Sequence, residues 1–234
     1  MAGKRFEEID VQRINVLDAD GTVRMVIAGK DKVPDPVLGG WQFKRHGPKM
    51  AGITFYNDDG VECGGLVIGG SRDPAGNYWA QMHLSYDQFD NDQILVLAYR
   101  DENGRRSYGL RFHDRPDTFP VDDMVRLTNM PEGPEKDRLL KELMDSGAFG
   151  FERMFLGRNP EGQPTIVLND SKGRPRLRLS VDSADLPRIE VLDEHGRVVY
   201  TLPSTGETDR MAELERQVLE LRQEVQRLKD GSSG

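Results

Sequence analysis

The chain has 234 residues, 36% hydrophobic and 31% charged, with one cysteine, a formal net charge of −8 and a pI of about 5.1. The acidic balance argues against a general nucleic-acid or anionic-membrane surface, because displacing counterions needs a basic face. A lone Cys63 excludes a disulfide-stapled scaffold; with no run of 18 apolar residues and no apolar signal core at the start, a soluble cytoplasmic protein is expected.

Phe6, Ile9, Val11, Ile14 and Val16 lead into a turn at Asp18-Ala-Asp20-Gly21, and Val23, Met25 and Ile27 leave it. Apolar residues at a period of two place one face of a strand in a core, and an Asp-x-x-Gly break supplies the carboxylate and the positive φ that close a short hairpin. The same unit recurs at Ile53–Ile68 (turn 57–60), Leu95–Phe112 (turn 101–104), Met154–Leu168 (turn 158–162), Ile166–Leu179 and Ile189–Leu202. Its spacing is irregular, so no solenoid of fixed period is implied. Arg24, Arg105, Arg174 and Arg197 follow the turn glycines and are expected to pair with the turn carboxylates.

Residues 28–50 hold three prolines and four glycines and read as a long loop; Gly64-Gly65 and Gly69-Gly70 mark bulges or close approaches within a strand. Residues 71–93 are turn-rich around a strand at Tyr78–Leu84. The breaker Asp114-Arg-Pro-Asp-Thr-Phe-Pro120 ends this β region. Val121, Met124, Val125 and Thr128 then take up helical spacing, and a second helix is expected from Pro134 to a C-cap at Gly147, broken from the first at 130–133.

The fold expected is mainly β: antiparallel hairpin-repeat sheets with a helical insert and a C-terminal coiled-coil helix. Its parts are an N-terminal β domain (1–117), the insert (118–148), C-terminal hairpin repeats (149–203) and a coiled-coil helix with its tail (204–234). Met211, Leu214, Val218, Leu221, Val225 and Leu228 alternate steps of three and four, an a/d seam with Leu at every d position. Across such a seam Arg210 faces Glu215 and Glu224 faces Lys229. β-branched a residues favour a parallel homodimer, with a homotrimer the other possibility. Fewer than three heptads are marginal alone, so the β regions are expected to associate as well.

Chemical signals are weaker. The Asp18/Asp20, Asp58/Asp59 and Asp87/Asp90/Asp92 carboxylates lack the further oxygens of a calcium loop. The histidines His46, His83, His113 and His195 lack zinc-ligand spacing, and no phosphate-cradling glycine motif introduces a helix, so neither metal nor cofactor is implied. Cys63 reads as a small buried hydrophobe rather than a nucleophile with His83 or His113. A binding or hydrolytic pocket, if present, is expected from the 82–92 and 114–117 loops, with His83, Asp87, Asp90, Asp92, Asp114 and Arg115 as its polar groups.

Ile14–Ile27, Phe55-Tyr-Asn-Asp-Asp-Gly60 with Gly64-Gly65-Leu66, and Leu84-Ser-Tyr-Asp-Gln-Phe89 resemble a group of uncharacterised bacterial β-hairpin-repeat proteins. The resemblance covers roughly residues 10–117 and the later hairpins, which are also similar to repeats of trimeric β-prism proteins. It implies a bacterial β-repeat protein and brings no catalytic residue. The function expected is that of a non-catalytic homo-oligomeric structural or interaction protein. The alternative is a small-ligand or cation binder, or a carboxylate-dependent hydrolase, built on the two loops.

Overall fold

In a computed structural model, residues 5–44, 48–203, 214, 216–219 and 221–222 are described. The strands are β1 (Arg13–Leu17), β2 (Val23–Ala28), β3 (Val37–Leu38), β4 (Trp41–Gln42), β5 (Ala51–Tyr56), β6 (Glu62–Arg72) and β7 (Tyr78–Asp87). They continue with β8 (Gln93–Glu102), β9 (Arg105–Asp114), β10 (Phe151–Arg158), β11 (Pro164–Asn169), β12 (Pro175–Val181), β13 (Pro187–Leu192) and β14 (Val198–Leu202). All but β3 and β4 form one twelve-stranded antiparallel sheet in the order β1-β2-β5-β6-β7-β8-β9-β10-β11-β12-β13-β14, in which the chain advances in one direction throughout. The helices α1 (Val121–Asn129) and α2 (Pro134–Ser146) interrupt the chain between β9 and β10 but not the sheet, since those two strands pair directly.

Eight of the nine hairpin turns of the twelve-stranded sheet share one bonding pattern. The first turn residue (Asp18, Asn57, Asp73, Gln88, Asn159, Asp170, Asp182 or Asp193) donates its N–H to the carbonyl four residues on and accepts from the N–H three residues on. Where it is Asp or Asn, its side-chain oxygen can take a further N–H: Asp170 Oδ1 accepts from Lys172 and Arg174, and Asp193 Oδ1 from His195 and Arg197. The ninth turn is the two-residue Asn103-Gly104, with both φ positive (52° and 89°), the twist a tight hairpin prefers. Four of these turns are Asp-x-x-Gly in sequence (18–21, 73–76, 170–173 and 193–196), whereas at 101–104, where the same turn was expected, the hairpin closes on Asn103-Gly104 alone.

The arginines after the turns pair as expected for Arg24–Asp18 (3.2 Å), Arg174–Asp170 (2.8 Å) and Arg197–Asp193 (2.7 Å). Arg105 is the exception. It reaches Glu161 in the next turn at that end of the sheet (3.0 Å), while Arg106 takes Asp101 (2.7 Å).

Residues 28–50 are not a plain loop. They contain the β3–β4 hairpin and a buried Phe43, whose ring lies 5.7 Å from that of Phe119. The segment starts where β2 ends, yet a Cβ on Gly39 would meet Val121 and Phe119, which follow β9 at the opposite end of the sheet. It returns at Met50, packed on Gly69. It therefore doubles back across one face, and the buried Val26, Thr54, Val67, Ser85 and Val96 all belong to that face. α2 has Pro134 in its first turn and Gly147 as a left-handed C-cap (φ 80°), where the sequence placed them.

Candidate functional site

In an antiparallel ladder, residues in register carry their side chains to the same face. One register row crosses the whole sheet as Ile14, Ile27, Ile53, Leu66, Leu84, Leu97, Leu110, Leu156, Ile166, Leu179, Ile189 and Leu202. Every strand thus presents Ile or Leu to one face at one level, and none of the twelve is buried. A parallel row, from Val16 through Leu95 and Met154 to Tyr200, is apolar on every strand except at Gly64. Over β9–β13 this face is hollowed into an apolar trough of about 840 Å³ bordered by Tyr108, Leu156, Ile166, Leu179 and Ile189.

Fourteen of the exposed large apolar side chains lie on this face, each 37–56% exposed; at roughly 200 Å² per side chain they show roughly 1,200 Å² to solvent. The largest apolar patch on a typical monomer is roughly 300–600 Å². Water disfavours so wide an apolar sheet, and nothing in the described chain covers it.

The opposite face is polar from β8 onward. Arg111 donates to Glu152 (2.5 Å) and stacks on the buried Phe155 (4.6 Å), and Arg178 pairs with Glu190 (3.0 Å). A cleft of about 490 Å³ opens here over β7–β10. Its floor is the register row His83, Ala98 and Gly109, where two adjacent residues have little or no side chain. Gly109 and Gly157 must be glycine: a Cβ on either would lie 2.2 Å or 2.1 Å from a carbonyl oxygen of the facing strand.

The two loops singled out from the sequence do come together. Gln88 Nε2 and Asn91 Nδ2 both donate to the Pro116 carbonyl (2.8 Å each), Arg115 Nε donates to the Gln93 carbonyl (2.7 Å), and Arg115 pairs with Asp92 (3.3 Å). Asn91, 1% exposed, is a buried clip between the loops, a residue the sequence reading did not weigh. Of the six expected polar groups, only His83 and Arg115 line the cleft. Asp114 pairs with Arg153, and Asp90 holds the left-handed turn position (φ 52°).

Burial, reinforced by the nearby charges of Glu62 and Asp92, pushes the Asp87 carboxyl up to about 7. Burial, with the Asp87 charge beside it, also raises the Cys63 thiol, the reverse of what a nucleophile requires. Burial lowers His113, with Arg115 adding to the effect. Among the described residues no group of three His, Cys, Asp or Glu is placed to hold a metal ion, and no helix is long and apolar enough to cross a membrane.

Of the zipper residues, Leu214, Val218 and Leu221 are helical and exposed (49%, 49% and 65%). Met211, Val225 and Leu228, and the Arg210, Glu215, Glu224 and Lys229 charges, lie outside the described residues.

Fold and surfaces together define a mainly β protein: a single antiparallel meander, apolar on one face and polar on the other. No protein-family model and no curated protein matches the chain.

Proposed function

We propose that this chain is a non-catalytic structural or interaction protein that works as a homo-oligomer, with the apolar face of the sheet as its main contact. The uncovered Ile/Leu row across twelve strands carries the reading. Its roughly 1,200 Å² exceeds the roughly 800 Å² that each partner contributes to a stable interface of standard size. Sheets that pack face to face do so through such apolar faces, at a spacing of roughly 10 Å.

The heptad pattern supports the same reading. The seam from Met211 to Leu228 follows β14 at the end of a chain that advances in one direction. A parallel coiled coil has its symmetry axis along its helices. If those helices continue the direction in which strands are added, one axis relates both the zippers and the sheets. The arrangement can be a parallel homodimer with two sheets facing, or a homotrimer with three sheets enclosing a prism, as the similarity of the later hairpins to trimeric β-prism repeats would have it.

Light scattering coupled to size exclusion on the full chain tests the proposal. The intact protein should run as an integral multiple of 26.4 kDa. Leu97→Lys with Leu156→Lys, both exposed on the apolar face, should lower that mass while far-ultraviolet circular dichroism keeps its β signal. Leu214→Glu with Leu221→Glu should weaken assembly less than the sheet variant does. A 26.4 kDa particle at high micromolar concentration would sink the proposal.

A further inference from the structure

The polar cleft on the opposite face is not used by that assembly. Three arginines, Arg100, Arg111 and Arg115, line it against one lining carboxylate, Glu152. Arg111 is held by Glu152 and by the Phe155 ring; Arg115 is held by Asp92 and by the carbonyls of Gln93 and Phe149. Both guanidinium groups are therefore fixed in place with their charges already balanced. Arg100 differs. It is exposed, in register with Gln81 on one side and Ser107 on the other, and has no ion-pair partner among the described residues.

The cleft thus has an uncompensated cation at one wall, neutral hydrogen-bonding groups beside it and two anchored guanidinium groups at the other wall. Its floor at Ala98 and Gly109 carries little side chain. The positive charge is local, since the chain as a whole carries −8. A guanidinium recognises planar or tetrahedral oxyanions through paired N–H donors.

We propose that this cleft binds a small oxyanion ligand, a carboxylate or a phosphate ester, with Arg100 as the group that engages its charge and Gln81 and Ser107 as neighbouring hydrogen-bonding groups. The proposal does not depend on oligomerisation, because the cleft and the apolar face lie on opposite sides of the sheet.

Calorimetric titration of the full chain with citrate and, separately, with inorganic phosphate at constant ionic strength tests it, with chloride as the control. Saturable binding of at least one probe is expected, accompanied by shifts of the His83 or His113 ring resonances. Citrate binding alone assigns a carboxylate, and phosphate binding alone a phosphate ester. Arg100→Gln should weaken binding by about tenfold or more, the worth of one charge-assisted contact, and Arg100→Lys should restore part of it. Arg100 is exposed and unpaired, so neither change should lower the unfolding midpoint. No saturable binding of either probe, or binding that Arg100→Gln leaves unchanged, would overturn the proposal. Light scattering on the same samples reports separately on assembly.

Discussion

Replacing Asp87 by Asn tests the electrostatic reading of the sheet. Asp87 ends β7, half-buried, with the charges of Glu62 and Asp92 nearby and a hydrogen bond from Ser85. Its carboxyl is pushed from 3.8 up to about 7, mainly by burial and next by Glu62. Below about pH 4 the folded and unfolded states both carry the proton, and the group costs nothing. As pH rises from about 4 to about 7 the unfolded chain ionises while the folded one keeps its proton, so stability falls. Above about pH 7 the full cost applies, at most about 4 kcal/mol for the difference between 3.8 and 7. Asp87→Asn removes the ionisation and keeps the shape and an acceptor for Ser85. At about pH 8 the variant should therefore be the more stable, by up to about 8–16 °C in midpoint for a chain of this size, and at about pH 4 it should match the parent. The assay is thermal unfolding by circular dichroism at both pH values and one protein concentration, since association also shifts the midpoint. Asp59→Asn, in an exposed turn, is the control. An equal change at both pH values, or destabilisation at the higher one, would refute the reasoning.

Other expectations concern stability. Asp170 pairs with the Arg174 side chain and accepts the backbone N–H groups of Lys172 and Arg174, contacts that hold its carboxyl far below the usual range. Asp170→Ala should lower the urea midpoint at neutral pH, and the loss should fade as pH falls below about 4, where the unfolded carboxyl takes up its proton. Gly109→Ala drives a Cβ to 2.2 Å from the Leu156 carbonyl; a cost of about 1–3 kcal/mol or more in chemical unfolding is expected. Phe43→Ala empties a buried site where residues 29–50 meet Phe119. It should cost about 3–5 kcal/mol and make that segment the first cut in limited proteolysis.

How much was legible in the sequence follows from which signals are local. Alternating residues such as Val198, Tyr200 and Leu202 announce a strand whatever it packs on, and Asp-x-x-Gly carries its own acceptor and its own positive φ. The hairpins, both helices, Pro134 and Gly147 could therefore be read directly. The turn at Asp182-Ser-Ala-Asp185 was passed over because Asp185 (φ 59°) stands where six of the other turns have glycine. The β3–β4 hairpin was missed because two-residue strands leave no period to read. At the site, the residue that clips 88–92 to 115–116, Asn91, is an ordinary amide whose role depends on a carbonyl 25 positions away.

The residues by themselves determined which segments are strands, where they turn and which side of each is apolar, because those properties are set within a few bonds of backbone. Only the tertiary structure decided that the apolar sides of twelve strands fall into register as one Ile/Leu row, and that residues 29–50 cross the other face. It likewise decided that Ala98 and Gly109 align into the floor of a cleft between Arg100 and Arg111. Register couples residues far apart in the chain, and a slip of one position would reverse every face. That long-range pairing is what turns a string of hairpins into a surface with two different sides.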